Sequence, residues 1–493
     1  MNLTIDPWIP ALHADGRRAL FSLQDLFAQA HDLRDLAVKP HERIALMRLL
    51  ICITQAALDG PADEATWHQC QTLIQPRVRP YLEKWRASFE IFGEGPRFLQ
   101  LPNLKPGNES DEGNAATKLD LALATGNNST LFDNHAGSER ALQSARLAVN
   151  LVVFQCFAPG GRIGVAKWNG KETASKGSSN HAPCTPSSML HTLLQGDCLL
   201  QTLHLNLLSN ETVADAFGLN RWGQPVWELP VKSADDALAI ENATLTYLGR
   251  LMPLSRAVRL DAQGASIILA NGLDYPIFPA FREATATIIK RKDDLAILPS
   301  STARSLWRQL AAVSVRRRSA SDSTCGPLAL AHASSSVNTT LWVGALVTDK
   351  AKIEDVIESA YSLPPSMFSE FGRAAYEKGV AYAEEREGNL IQAVKAYASS
   401  LKVAEPAYNR ARQLFWTRIE QHLSNLLELP SNTSLAADLP NCAWGRAVQA
   451  ADHAAFEQSC PRQTPRQIEA YALGLRRLNL RPKVNQPTHQ HCP

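Results

Sequence analysis

Over the first 160 residues the apolar positions fall into helix-length runs separated by polar, proline- or glycine-bearing breaks. Ser22-Leu23-Gln24-Asp25 has the spacing of a capping box and predicts a short helix through Ala30. Pro40-His41-Glu42 introduces ERIALMRLLICITQAALDG, an amphipathic helical pattern closed by Gly60-Pro61. A further helix is expected around Arg79–Phe89. Between Leu101 and Lys118 the composition turns to Pro, Gly, Asn, Glu and Ser, which predicts an irregular connection. Gly126 to Thr130 resist regular structure, and Leu131-Phe132 are two apolar residues carried on that polar loop, which ends at Gly137. An apolar segment from about Ser138 to Phe157 then predicts a helix stopped by Pro159 and the adjacent Gly160 and Gly161. A loop presenting an aromatic, a rigid helix and then bare backbone suit recognition of an extended partner. An ordinary helix between two surface loops fits the same pattern.

The middle third reads as mixed α and β. Gly164–Pro186 is polar and loop-like, whereas QTLHLNLL at Gln201–Leu208 alternates and predicts a strand, with His204 and Asn206 sharing a solvated face. Strands are also expected at Thr244–Leu248, Ala257–Leu260 and Ser266–Leu269, the last two flanking Gly264. After Leu363-Pro364-Pro365 four amphipathic helical stretches follow, about Ser366–Leu401, Pro406–Leu429, Ala443–Ser459 and Pro465–Leu478. Thr464 before Pro465 is an N-cap with proline at the first helical position. The fold class expected is α+β: a large mixed domain over 1–362, then a four-helix bundle over 363–493 whose tail after about 481 is disordered.

A chain of 493 residues is too long for one ordinary core, and 45% hydrophobic with 20% charged residues describes a globular protein. No apolar run reaches the roughly 18 residues that span a bilayer, and no basic segment precedes a signal-like core, so a cytoplasmic protein without membrane contact is expected. Nine scattered cysteines without a CxxC pair argue against a disulfide framework or a zinc finger. The net charge of +2 is unevenly spread. Arg282–Arg318 carries nine Lys or Arg against three Asp or Glu, a surplus of +6 that leaves −4 elsewhere. Lys290-Arg291-Lys292 and Arg316-Arg317-Arg318 form its two clusters, open to polyanion binding or to plain solvation.

No catalytic signature emerges. Gly164–Glu172, GVAKWNGKE, has one residue too many between its glycines and a Glu where a phosphate loop needs Ser or Thr. The thirteen histidines are dispersed, and HExxH and GxSxG are absent. Neither catalytic residues, a cofactor nor a metal is expected.

Several pieces in order resemble one family. They are Asn2-Leu3-Thr4-Ile5-Asp6-Pro7-Trp8-Ile9-Pro10, ATGNNSTLFD at Ala124–Asp133, FAPGGR at Phe157–Arg162, GDCLLQTLHLNLL at Gly196–Leu208, NGLDYP at Asn271–Pro276 and LWRQL at Leu306–Leu310. Spread over about 450 residues and followed by a helical C-terminal quarter, they resemble CasA, the large subunit of the type I-E CRISPR complex Cascade. Some members carry a zinc-binding cysteine cluster in mid-chain, which this sequence lacks.

The resemblance implies a non-enzymatic subunit with crRNA and the other Cascade subunits as partners. Such a subunit checks double-stranded target DNA for the flanking motif (the PAM), promotes duplex opening, and recruits a CRISPR helicase–nuclease. Family members read the PAM from the minor groove with a glycine loop, a lysine and a glutamine wedge. The glycine loop maps onto Gly160 and Gly161, where a missing Cβ lets main chain approach the groove floor; a helix C-cap is the other reading. The wedge maps onto Lys350, with an exposed helix start as the alternative. The minor-groove lysine has no counterpart in Asp261–Ala270; Gln263, Arg256 and Arg259 stand nearest. Phe132 and Asn134 fall on the loop that docks on the crRNA 5′ handle and the neighbouring subunit, or they pack within their own loop. The competing function is a nucleic-acid-processing enzyme whose active site has no recognised signature.

Overall fold

The computed structural model describes residues 1–93, 95, 97–108, 113–123, 142–158, 164–173, 188–276, 283–291, 294–317, 324–349 and 352–479. The chain divides into two compact units, Met1–Ser362 and Leu363–Pro493. The first mixes helices with small sheets and the second is helical, so the fold is α+β.

The first unit opens with strands β1 (Ile9–His13) and β2 (Arg18–Phe21), helix α1 (Leu23–Ala28) and strand β3 (Leu33–Leu36), the strands pairing antiparallel in the order β2–β1–β3. Ser22 caps α1, its hydroxyl accepting from Asp25 N at 3.1 Å, as the capping spacing predicts. The opening Asn2–Pro10 piece is an anchor. Asn2 Nδ2 donates to Arg86 O and to Glu90 Oε1 at 2.9 Å each, and the fully buried Trp8 donates from Nε1 to Leu3 O at 3.0 Å.

Helix α2 (Pro40–Leu58) departs from the amphipathic expectation, because every residue from His41 to Gln55 is buried. Its polar residues have distant partners instead of water. Arg48 pairs with Glu283 and donates to the carbonyls of Arg250 and Leu251, while Gln55 Nε2 donates to Leu208 O at 2.7 Å. Helices α3 (Glu64–Cys70), α4 (Ile74–Lys84) and α5 (Ser144–Cys156) follow, with α4 and α5 packed on α2. The helix expected at Arg79–Phe89 starts earlier, at Ile74, and ends in a 3-10 turn over Arg86–Phe89.

The irregular connection contains short strands β4 (Leu104–Pro106) and β5 (Asn114–Ala115). GVAKWNGKE is a hairpin of β6 (Ala166–Trp168) and β7 (Lys171–Glu172). Its two turn residues, Asn169 and Gly170, have φ of 49° and 81°, which fits a tight two-residue hairpin turn and leaves no phosphate cradle.

After β8 (His191–Gln195), Gln201–Leu208 is not a strand; helix α6 (Leu199–Leu205) occupies it. Leu199, Thr202 and Leu203 are buried at helical spacing, and Asn206 closes the end. Its side chain accepts from Leu194 N at 3.0 Å and donates to Leu194 O and Thr202 O at 2.7 Å each. His204 and Asn206 are therefore buried rather than solvated; His204 Nε2 lies 2.9 Å from Trp67 O, and its ring stacks on Trp67.

Helices α7 (Asn210–Phe217), α8 (Ala237–Leu245) and α9 (Tyr247–Leu251) come next. The expected strand at Thr244–Leu248 is helix end and helix start, because Thr246 caps α9 by accepting from Gly249 N at 3.3 Å. The two strands expected around Gly264 are present as β9 (Arg256–Leu260) and β10 (Ser266–Asn271); they pair antiparallel, and β5 extends the sheet. A second hairpin, β11 (Ile288–Arg291) with β12 (Asp294–Ile297), precedes helix α10 (Leu310–Val313). Strands β13 (Thr339–Asp349) and β14 (Lys352–Leu363) complete a sheet of order β14–β13–β8.

The second unit holds α11 (Glu370–Leu401), α12 (Tyr408–Glu420), α13 (Leu423–Leu427), α14 (Ala443–Ser459) and α15 (Pro465–Leu478). The single helix expected over Pro406–Leu429 is therefore two. Helix α11, about 48 Å long, packs on α12, α14 and α15. A Cβ on Gly474 of α15 would meet Ala393 O of α11 at 2.9 Å, so glycine permits the close approach there. Thr464 and Gln467 form a reciprocal capping box at the start of α15. The tail after 479 lies outside the described residues.

Candidate nucleic-acid interface

Helix α5 is the scaffold. Its 13 residues span about 20 Å and bury ten side chains from Leu147 to Cys156. Residues 124–141 precede it and 159–163 follow it, so the helix separates the two loop segments that the sequence singles out. Phe132, Asn134, Gly160, Gly161 and Lys350 all lie outside the described residues. What the structure defines is the stem of each segment.

The stems at the N-terminal end of α5 are tied by charge. Arg146 Nη2 lies 3.2 Å from Asp120 Oδ2 and 2.7 Å from Glu42 Oε1, joining the strand of chain that enters the 124–141 segment to the helix that leaves it. Asp120 Oδ1 also accepts from Ala122 N at 3.0 Å. His41, beside Glu42, is pushed down to about 4 by burial, so it is neutral at pH 7.

At the other end Gln155, fully buried, donates from Nε2 to Leu99 O at 3.1 Å and to Arg256 O at 3.0 Å. Its Oε1 accepts from Arg256 N at 3.0 Å, and Ser255 Oγ donates to its carbonyl at 2.6 Å. Phe157 then meets the His191 ring edge-on at 6.1 Å. His191 Nδ1 lies 2.8 Å from Thr285 Oγ1, and burial holds its pKa down at about 3.

Lys350 belongs to the two-residue connection between β13 and β14, so the helix-start reading is corrected: strands stand on both sides. Ser188 braces the β13 end of that stem, donating from Oγ to Thr348 O at 3.1 Å and accepting from Thr348 N at 3.0 Å. Of the residues near the missing lysine, Gln263 is exposed at the β9–β10 turn. Gly264 beside it has φ of +73°, and a Cβ there would meet Leu147 Cδ1 at 2.7 Å, so the turn lies on α5. Arg256 is buried with Nη1 2.7 Å from Asn271 Oδ1, which makes it a structural residue.

The basic surplus is partly consumed by the fold itself. Arg316 donates to Ala333 O, and Arg317 bonds both the carboxylate and the carbonyl of Asp215 at 2.8 Å. Lys290 is exposed. Among the described residues no cluster of His, Cys, Asp or Glu is placed to hold a metal ion, and no helix is long and apolar enough to cross a membrane. Sequence reasoning passed over Arg146 and Gln155; a glutamine inside the apolar run LVVFQCFA was the one available signal.

A mixed unit with small sheets, together with a helical unit, is a fold shared with solved CRISPR-associated proteins. It superposes on the crystal structure of CasA from Thermus thermophilus with a TM-score of 0.74 at 22% identity, covering 97% of this chain and 98% of that one. A chain of a CRISPR RNA-guided surveillance complex matches with a TM-score of 0.75 at 18% identity, over 97% and 99% of the two chains. The family model for CRISPR-associated protein Cse1 matches residues 2–454. CRISPR-associated protein CasA/Cse1 of Thermus thermophilus is 31% identical over 410 residues, which is 78% of this chain and 75% of that protein. The chain belongs to the Cse1 family, also called CasA, the family of the large subunit of the Cascade surveillance complex.

Proposed function

We propose that the protein acts in Cascade as the reader of the flanking motif in double-stranded target DNA, assists duplex opening, and presents the opened target to a helicase–nuclease. The family match over residues 2–454 carries this reading. The pinned ends of α5 support it, because a loop that positions backbone against a groove floor needs a fixed base. In this reading Gly160 and Gly161 approach the minor groove, Lys350 acts at the base pair to be opened, and Phe132 and Asn134 dock on the crRNA 5′ handle and its neighbouring subunit. The chain binds and positions; partners cut. It works in the cytoplasm, where crRNA and target DNA meet.

With a net charge of only +2, the isolated chain should bind duplex DNA weakly and with steep salt dependence. Motif-selective binding should appear once crRNA and the other subunits are added. Incubation with DNA and divalent metals, with and without those partners, tests both parts. Tight, motif-selective binding by the lone chain in physiological salt would sink the assembly requirement, and cleavage by the lone chain would favour an enzyme.

A further inference from the structure

The β4–β6–β7 sheet turns one face inward and one to solvent. Leu104, Ala166 and Trp168 line the inner face and are at most 4% exposed. On the outer face the register sets Lys105 directly opposite Lys167, and Lys167 opposite Glu172, with all three exposed. Like charges in opposed positions of an antiparallel pair stand about 5 Å apart at Cβ and repel. Among the described residues neither lysine has a hydrogen-bond or ion-pair partner, and Glu172, though opposite Lys167, does not neutralise it through an ion pair. The free protein therefore sets two lysines that lack an ion-pair partner at opposed positions of one sheet. An anion that both can share relieves that repulsion.

Their place in the fold says which anion. Lys167 follows Gly161 by six residues, at most about 20 Å of extended chain. Strand β4 also lies against β9 and β10, and β6 against β10; the stretch Asp261–Ala270, from the β9–β10 turn into β10, carries no lysine. On this layer, among the described residues, the exposed cations set opposite each other stand on β4 and β6.

We propose that Lys105 and Lys167 form a phosphate clamp for the duplex DNA flanking the base pairs approached by Gly160 and Gly161; this rests on the reading of the protein as a flanking-motif reader. At most about 20 Å corresponds to no more than about six base pairs of duplex at 3.4 Å each, so the clamp grips backbone within that reach of the motif. It contacts no bases. It adds affinity and register while leaving sequence preference to the loop.

The test uses reconstituted Cascade containing Lys105→Gln, Lys167→Gln or both. Affinity is measured from about 50 to 200 mM salt for a target duplex with the preferred flank, the same duplex with a scrambled flank, and a single-stranded target lacking the flank. Each single variant should lower the log–log salt slope by about 0.9, and the double variant by about 1.8. Affinity at physiological salt should fall about tenfold in the double variant, equally for both flanks, with the single-stranded target bound as by the parent. Thermal stability should not fall, since the change removes a repulsion. A parental slope in the double variant overturns the clamp. So does failed assembly with normal DNA binding by what does assemble, which would assign the pair to RNA or an acidic protein partner, and so does a loss confined to the preferred flank. Gly160→Asp serves as the companion arm. If it abolishes flank discrimination while the lysine variants keep the parental slope, the clamp fails and flank reading stands. If it changes nothing while the slope drops, the clamp stands as a general DNA contact and flank reading at the glycines fails.

Discussion

The side-chain amide of Gln155 clasps the main chain of Arg256 from both directions, donating to its carbonyl and accepting from its N–H, each at 3.0 Å. The clasp registers the last turn of α5 on the first residue of β9. Arg256 carries the linkage on through Nη1 to Asn271 at the end of β10. The family-like piece that begins at Asn271 is thus linked to the last turn of α5, two residues ahead of the piece that begins at Phe157.

Gln155→Leu keeps similar bulk but leaves the Arg256 N–H and the carbonyls of Leu99 and Arg256 without this partner in a buried place. An orphaned buried group costs about 1–3 kcal/mol, in full for the N–H and in part for carbonyls that keep a second lone pair, so denaturant unfolding should show a loss of roughly 2–4 kcal/mol. A loss below about 0.5 kcal/mol, the ordinary scatter for surface changes, would show that the end of α5 is held by other contacts.

The stems of the 124–141 segment give a paired prediction. Arg146→Leu strips two carboxylates of their shared cation, and Glu42 is almost fully buried, so stability should fall by about 3 kcal/mol as for a broken buried pair. Incorporation into the complex should fall with it. Phe132→Ala should leave the melting temperature within a degree or two yet weaken incorporation by roughly 2 kcal/mol, as for removal of an aromatic anchor. Equal losses of stability and incorporation for Phe132→Ala would place the ring in the core and end the docking idea.

Helices whose signals are local were legible in the sequence. Thr464-Pro465 with Gln467 marks the start of α15, and Ser22 with Asp25 marks α1, because a cap is decided within four residues. The readings that failed depended on distant partners. Glu42, Arg43 and Arg48 are charged residues that a local pattern would assign to water, yet Arg48 meets Glu283, 235 residues away. QTLHLNLL satisfies alternation and helical spacing alike, and the choice falls to Asn206 reaching back to Leu194. Gln155 illustrates the limit at the site: its partners are backbone atoms 56 and 101 residues away, which no local pattern announces.

Acid should weaken the first unit. Burial pushes His41 and His332 down to about 4 and His191 to about 3. Between those values and the ordinary 6.5 the unfolded chain binds protons that the folded chain refuses, so stability rises with pH across that window and is lost as pH falls below 6.5. Each histidine contributes up to about 1.4 kcal/mol per pH unit there. Denaturant midpoints at pH 7, 6 and 5 should therefore fall steeply, and His191→Gln should flatten the profile. A flat wild-type profile over that range would mean these rings are hydrated in solution.

The last prediction separates reading from opening. Replacing Gly160 or Gly161 by Asp adds bulk and negative charge where the proposed function brings main chain against DNA. Steric exclusion and phosphate repulsion then act together, so binding of an intact target duplex by the assembled complex should fall sharply. Lys350 falls between β13 and β14 in the chain, and Ser188 bonds Thr348 near the end of β13. Lys350→Ala should slow opening of the intact duplex and spare a target already melted at the base pairs next to the motif. Each variant is therefore compared on intact duplex and on a bubble spanning those base pairs. Equal losses on both substrates would make Lys350 a phosphate contact with no part in opening. Glycine variants that assemble normally and bind intact duplex like the parent would reduce Gly160 and Gly161 to the cap of α5.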